Sequence, residues 1–398
     1  MAKSSAPGPL PAPHALSPAL VLLMATATGL AVASNYFAQP LLPTMARELG
    51  LSVPKAGIIV TTAQMGYAAG LLLIVPLGDL FERRGLIVAM TLLAAAGLLA
   101  IALAPGIGML LVGTALTGLF SVVAQILVPF AATLAAPEER GKVVGTIMSG
   151  LLLGILFART VAGALTPLGG WRTVYWVGAG ALVLMAVVLR QVLPRHHQPV
   201  ALSYPRLIHS ISTLFREEPV LRLRSLLGAC AFANFSVFWT SMAFLLAAPP
   251  YRFSPGTIGL FGLVGAAGAL AASGAGRQAD RGRGDLVTAS ALAILLCSWL
   301  PLAFARHSLV AFLVGVLLLD LAVQAVHISN QTAIYRLRPE VRNRLTAAYM
   351  TSYFIGGAAG SLASASAYSR FGWPGVVTVG VAFSVCGGLT WLLLRGRT

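Results

Sequence analysis

Charged side chains are scarce in this sequence. Only 10% of its 398 residues are charged and 58% are hydrophobic, whereas a soluble domain carries roughly 25% charged residues. Uncharged apolar runs of about 17–25 residues recur along the chain, as a ~30 Å hydrocarbon core requires. The ten-residue alternating segments of a membrane β-barrel are missing. The composition excludes a soluble domain and predicts an all-α membrane protein.

Sequence motifs of enzymes are also missing. The chain contains no HExxH, no GxSxG and no P-loop, so nothing indicates an enzyme or an ATP-driven pump within it. Cys230, Cys297 and Cys386 lie in different apolar runs without metal-ligand spacing, which is typical of small buried hydrophobic residues. We predict no cofactor and no metal.

Acidic side chains are few, and Asp320 is the exception among them. Of the 11 acidic residues, it alone lies deep inside a predicted span, at a cost of about 2.5–3.5 kcal/mol if ionised. Gln324, His327 and Gln331 follow it at spacings of four, three and four, which puts all four side chains on one helical face. A polar stripe on an apolar helix is typical of a protein-lined path through a membrane.

Twelve apolar runs form two groups of six. We predict a disordered cytoplasmic tail at 1–17, six-helix bundles at 18–189 and 225–394, a connection at 190–224 and a tail at 395–398. The connection contains an amphipathic pattern that fits either a membrane-surface helix or a plain linker. The predicted spans lie near 18–37, 57–78, 86–104, 108–131, 144–166, 173–189, 225–246, 256–276, 286–304, 309–333, 345–367 and 374–394.

Basic side chains are distributed unequally between the two sides of the membrane. The net charge is +16, and with the N-terminus inside, 20 of the 27 basic residues fall in inner loops and tails, against six outside. Arg159 alone lies within a span. This asymmetry is a topology signal that predicts two cytoplasmic termini, and not nucleic-acid binding.

The two halves repeat each other. Six residues recur at an offset of 201 or 202: Pro54, Asp79, Pro137, Glu138, Gly170 and Trp171 match Pro255, Asp280, Pro339, Glu340, Gly372 and Trp373. A near-constant offset indicates a duplicated six-helix unit, and such proteins bind substrates between the repeats near mid-membrane.

Several stretches resemble the major facilitator superfamily over nearly the whole chain. PLGDLFERRG (Pro76–Gly85) and GRQADRGRG (Gly276–Gly284) look like its inner-loop motif, and TALTGLFSVVAQILVP is similar to its fourth-span motif. NYFAQPLLP (Asn35–Pro43) and LRPEVRNRLTAAYMTSYFIGG (Leu337–Gly357) look most like bacterial exporters related to the drug–proton antiporter branch.

This resemblance implies a twelve-helix fold that moves a small molecule across the inner membrane by alternating access, as a monomer in the bilayer. It favours proton-coupled export. The alternative is an uncoupled facilitator or a proton-symport uptake carrier of the same fold. A membrane receptor that transports nothing is the least favoured hypothesis. The chain departs from the family at Val75, Leu80 and Glu82, at Thr114 in the fourth span, and at 157–159, where drug–proton antiporters have a Gly-Pro pair. The departures weaken the likeness to antiporters in particular.

Three titratable groups within spans are candidates for proton coupling. Asp320 is the leading proton carrier, and His327 could relay protons or simply form a hydrogen bond in a wet cavity. Arg159 lies at a depth similar to that of Asp320, so it could pair with Asp320, reach toward the surface or bind an anionic substrate.

Two further groups of side chains complete the predicted site. Amide and tyrosine side chains could bind substrate or join helices: Asn35, Tyr36, Gln39, Gln324, Asn330 and Gln331. By resemblance, inner-loop charges form a cytoplasmic gate between the halves: Asp79, Arg83, Arg84, Asp280 and Arg281. Phe238 and Trp239 are interpreted as an apolar wall or as ordinary packing.

Overall fold

A computed structural model describes residues 16–136, 138–196, 203–272, 278–338 and 341–397. Almost all of the predicted tail at 1–17 lies outside these ranges, as do Pro137, Pro339 and Glu340 of the repeat. The helices are α1 Pro18–Ala33, α2 Leu42–Glu48, α3 Val53–Leu73, α4 Arg83–Leu103, α5 Ile107–Ser121, α6 Ala124–Leu134, α7 Arg140–Gly169, α8 Arg172–Val192, α9 Tyr204–Glu217, α10 Pro219–Ala247, α11 Pro255–Ala271, α12 Gly284–Ala303, α13 Leu309–Tyr335 and α14 Arg342–Leu394.

The described residues contain eleven of the twelve predicted spans in full, and the eighth as far as Ala272. Nine helical segments are long and apolar enough to cross a membrane, with α5 and α6 counted as one. The apolar helices α1 and α11 are shorter. At 53 residues, α14 would be about 80 Å long if straight, and it bends back to form two spans. The predicted twelve-span, all-helical fold is confirmed.

The bend in α14 also shows the duplication. Gly372 has φ 63° and Gly170 has φ 83°, a backbone region that suits glycine because a Cβ is strained there. Each glycine precedes a fully buried tryptophan, Trp171 or Trp373. The same turn therefore follows the fifth and the eleventh span.

Within each half, glycine pairs let helices touch backbone to backbone. A Cβ at any of these glycines would collide with the neighbouring helix, so small residues are required for this approach. The pairs are Gly66 and Gly70 of α3 against α5, Gly150 and Gly154 of α7 against α1, and Gly356 and Gly360 of α14 against α10.

Between the halves, α3 packs on α14 and α7 packs on α11. Thr61 and Ser361 share a hydrogen bond of 2.7 Å between their hydroxyls, and the Thr160 hydroxyl donates to the α11 backbone over 3.1 Å. Tyr67 and Phe354 stack with ring centroids 4.2 Å apart. Side-chain contacts therefore join the halves, and close backbone packing adds to them where Gly163 of α7 meets Pro255 and Gly259 of α11 meets Arg159.

The connecting helix α9 packs against protein. Its apolar face, formed by Leu207, Ile211 and Leu214, is buried in the core, and so is not available to a lipid surface. Tyr204 donates to the carbonyl of Leu73 over 2.7 Å, and Arg338 pairs with the carboxylates at its far end over 3.2 and 2.8 Å. Helix α9 thus joins both halves at one end of the bundle, which we call the inner end.

Candidate functional site

Charged side chains from the two halves meet deep in the bundle. Arg159 on α7 is 1% exposed and Asp320 on α13 is 5% exposed. Trp239 on α10 lies between them: its Nε1 donates to Asp320 Oδ1 over 3.2 Å, and the Arg159 guanidinium carbon lies 3.9 Å from its ring centroid. We call Arg159, Trp239 and Asp320, with Gln39, Tyr36 and Phe235 around them, the central cluster.

Arg159 and Asp320 do not form a direct ion pair. Among the described residues, no carboxylate oxygen lies within 4.0 Å of the Arg159 nitrogens, although the two charges attract each other through space. Trp239 separates them, with its π-face toward the cation and its N–H toward the carboxylate. The sequence left open whether Arg159 pairs with Asp320. In the structure the two side chains interact indirectly, through Trp239.

Arg159 is incompletely bonded. Its Nε donates to Gln39 Oε1 over 2.7 Å and its Nη1 to the Ile155 carbonyl over 3.3 Å. Its Nη2 is buried and has no hydrogen-bond partner in the described part of the chain. The Tyr36 and Phe235 rings lie 5.0 and 5.4 Å from the guanidinium carbon. Cation–π contacts thus partly replace the hydrogen bonds that a buried guanidinium needs.

A row of glycines on α11 makes room for the cluster. Gly259 and Gly262 face Arg159, Gly265 faces Asp320 and Trp239, and Gly268 faces α13. A Cβ at Gly265 would collide with the Asp320 carboxylate. Glycine at every third position shifts by about 60° around the helix at each step, so the row faces α7 at one end and α13 at the other, and this spacing is visible in the sequence. Sequence reasoning missed this row, and it interpreted Trp239 as an apolar wall or ordinary packing and not as a hydrogen-bond donor, because neither carries charge.

His327 and Asn330 lie in a different cluster, nearer the inner end. His327 Nδ1 is 3.0 Å from the Tyr349 hydroxyl, and no hydrogen bond links it to Asp320. Asn330 donates to the Arg224 carbonyl over 3.1 Å. Arg224 itself donates to Thr288 over 2.8 Å. We call this group, with Asp285 at 3.5 Å from Arg224, the Arg224 cluster.

The remaining candidate substrate residues are scattered. Tyr36 and Gln39 belong to the central cluster. Asn35 donates to Ser121 within the N-terminal half. Gln324 and Gln331 are half-buried on α13 and make no hydrogen bond to another described residue, which leaves their amides available.

The inner-loop charges are brought together only in part. The carboxylate of Asp79 is attracted by the positive charges of Arg83 in its own half and of Arg344 in the other half. Arg83 donates to Thr133 and Arg84 to the Leu193 carbonyl, all within the N-terminal half. Arg281 is exposed, and the side chain of Asp280 lies outside the described structure. The electrostatic attraction of Asp79 across the halves at the inner end therefore involves Arg344, which sequence did not single out.

Glu82, one of the departures from the family pattern, caps a helix. Its carboxylate accepts from the backbone N–H groups of Arg84 and Gly85, each over 2.8 Å, and from that of His196 over 3.3 Å. Burial raises the pKa of Glu82, but these hydrogen bonds together lower it further, so the pKa lies below its ordinary value. Glutamate at this position stabilises the start of α4.

Two related six-span halves that enclose buried charges at their interface define a multi-pass membrane transporter and not an enzyme. The chain belongs to the Major Facilitator Superfamily: the family model matches residues 24–281 and 224–398.

Relatives and solved structures agree with this assignment. The chain is 62% identical over 378 residues to the uncharacterized transporter YgaY of Escherichia coli O157:H7, covering 95% of this chain and 96% of that one. It is 33% identical to the "Probable transporter SCO4007" of Streptomyces coelicolor, covering 92% and 85%. These relatives confirm the superfamily; the branch within it stays a prediction.

Two solved structures share the fold. A bacterial homologue of the human lysosomal transporter Spinster, inward-facing and occupied, has a TM-score of 0.78 and 14% identity, with 96% of this chain and 97% of that one covered. The human organic anion transporter MFSD10 has a TM-score of 0.66 and 20% identity, with 95% and 99% covered.

Proposed function

We propose that this protein is a proton-coupled secondary active transporter of a small molecule in the bacterial inner membrane. Asp320 takes up and releases the coupling proton as the halves alternate in access, and both termini face the cytoplasm. Export is the proposed direction, on the likeness of residues 35–43 and 337–357 to bacterial exporters.

The observation that carries this proposal is the bonding of Asp320. Its carboxylate is buried at the interface and accepts one hydrogen bond, from the neutral Trp239 N–H. A direct salt bridge would hold the carboxylate in its charged form, whereas an indole donor can bond either form. The hydrogen bond therefore holds the Asp320 side chain in position and allows both its protonated and its ionised form.

The proton gradient supplies enough free energy for this task. One proton moving inward across ~100 mV releases about 2.3 kcal/mol, and one pH unit adds about 1.4 kcal/mol. One-to-one coupling could then sustain a neutral-solute gradient of roughly 10²–10³-fold.

The test is Asp320→Asn in proteoliposomes, with a substrate found by comparing metabolites of cells with and without the protein. The asparagine keeps the size and one accepting oxygen but cannot titrate. We expect substrate exchange to persist while accumulation driven by an imposed pH gradient disappears. Asp285→Asn is the matched control, since that carboxylate is 82% exposed, and it should accumulate normally.

Three outcomes would overturn the proposal. If Asp320→Asn still accumulates substrate as the wild type does, Asp320 is not the coupling group. If the wild type ignores the gradient, the protein is an uncoupled facilitator, and absence of any transport would leave the receptor hypothesis.

Uptake by proton symport is the second candidate, and the unpartnered Nη2 of Arg159 favours it. A buried cation without a full set of partners suits a substrate that carries negative charge. Under an inward proton gradient, symport fills the liposomes with substrate, whereas antiport empties them.

A further inference from the structure

We infer that the substrate carries an anionic oxygen group, such as a carboxylate, and that Arg159 Nη2 binds it in the central cluster. This inference rests on the proposed function in its symport form and names the substrate class. Nη2 is buried without a partner, although guanidinium nitrogens are among the strongest donors that proteins use for carboxylates.

The position of Arg159 favours more than a structural role. An unmade hydrogen bond on a buried nitrogen costs free energy, and Arg224 bears such a cost at its Nε among neighbours of its own half. In Arg159 the unused donor is covered by rings of both halves: Tyr36 from the N-terminal half, Phe235 and Trp239 from the C-terminal half. When the halves separate, these rings part and Nη2 becomes accessible to a ligand.

Charge balance defines which substrate fits. With Asp320 ionised and no ligand, Arg159 and Asp320 together are neutral. Protonation of Asp320 leaves one buried positive charge, which is costly in a dry interior. A singly charged anion on Nη2 makes the cluster neutral again. The empty carrier and the carrier loaded with proton and anion can therefore both close, whereas an anion beside ionised Asp320 is repelled.

Binding to the purified full-length protein in detergent tests this inference without any gradient. The probes are monocarboxylates of increasing size, from acetate through benzoate to naphthoate, each compared with its uncharged amide. Thermal unfolding and tryptophan fluorescence report binding. We expect at least one carboxylate to bind tenfold or more tightly than its amide, and Arg159→Gln to weaken it about 10- to 100-fold, the range of a charged hydrogen bond.

Three variants separate binding from folding and from proton coupling. Arg159→Lys keeps the charge without the second nitrogen, so weaker binding in a folded protein identifies the Nη2 bond. Arg172→Gln removes an arginine that also stacks on a tryptophan, at 4.2 Å from Trp171, but outside the cluster, and should bind like the wild type. Asp320→Asn should bind the carboxylate more tightly at neutral pH, even though it has lost coupling.

The inference is overturned if amides bind as well as carboxylates, if no carboxylate binds the wild type, or if Arg159→Gln binds normally. Weaker carboxylate binding by Asp320→Asn would refute the charge balance. If binding follows these expectations but Asp320→Asn still accumulates substrate, only the proposed coupling fails.

Discussion

Two arginines are buried among the described spans, and their partners are placed differently, although each leaves one buried nitrogen without a partner, Nη2 in Arg159 and Nε in Arg224. Arg224 donates to Thr288, Asp285 and Asn330, and its guanidinium carbon lies 5.1 Å from the Trp391 ring. All of these partners belong to the C-terminal half. Arg159 has few hydrogen bonds, no nearby carboxylate, and ring contacts in both halves.

This difference suggests a rule for the molecule. A polar group whose partners lie in its own half moves with them, so its bonds survive the alternation and contribute to stability. A group whose partners lie in the other half must break and remake its contacts in each cycle. Such contacts should govern transport, and the central cluster is the clearest case.

The most direct test exchanges each arginine for methionine. Arg224→Met should lower the free energy of unfolding by ~2–3 kcal/mol, because hydrogen bonds to charged groups contribute about 1.5–3 kcal/mol each, and should leave transport nearly normal. Arg159→Met should abolish transport and change the free energy of unfolding by under ~1 kcal/mol, since losing two hydrogen bonds is offset by removing a buried charge. Thermal unfolding and uptake assays test both expectations. Equal destabilisation by the two substitutions would contradict the proposed difference between the two arginines.

Tryptophan substitutions sharpen the same contrast. Trp239→Phe keeps a ring for Arg159 but removes the donor to Asp320, so transport should fall about tenfold, the effect of one charged hydrogen bond. Trp391→Phe is the matched control, because its Nε1 is buried without a partner and its loss should change neither transport nor stability measurably. Equal effects in transport assays would show that the Trp239 N–H is not needed.

The inner end provides a weaker cross-half interaction, the through-space attraction of Asp79 to Arg344. Asp79→Asn should slow turnover about three- to fivefold, as an attraction between partly exposed charges contributes up to about 1 kcal/mol, while equilibrium binding of a transported compound stays intact. Arg344→Gln, which removes the partner from the other half, should reproduce the effect. Lost affinity with normal turnover would contradict a gating role.

The smallest effect is expected at Glu82, whose partners lie in its own half and the adjoining connection. Glu82→Gln should cost a few tenths to about 1 kcal/mol of stability and leave transport unchanged. Because the pKa is lowered in the folded state, this stabilisation is full above 4.5, the ordinary value, and is lost as the pH falls through the lowered pKa. Thermal unfolding from pH 6 to 3.5 should show this loss in the wild type and not in the variant.

The sequence by itself determined the spans, the duplication and two of the three charges that are buried among the described residues. It placed Arg224 in the connection before the seventh span, whereas the structure buries it within α10. Hydropathy is local: about 20 residues decide whether a segment crosses the hydrocarbon core. Asp320 and Arg159 stood out because a charge in such a segment is costly. Glu82 was visible as a departure from a motif, but its capping role required the backbone of Arg84 and Gly85 in place.

Only the tertiary structure decided how those charges are bonded. Residues 159, 239 and 320 come from three helices far apart in the chain, and no local pattern states which side chain will lie between two others. Helix packing placed Trp239 between Arg159 and Asp320, against the glycine row of α11. Helix packing also directed His327 toward Tyr349. A polar side chain forms its hydrogen bond with the polar group that the neighbouring helix places at the same depth in the membrane.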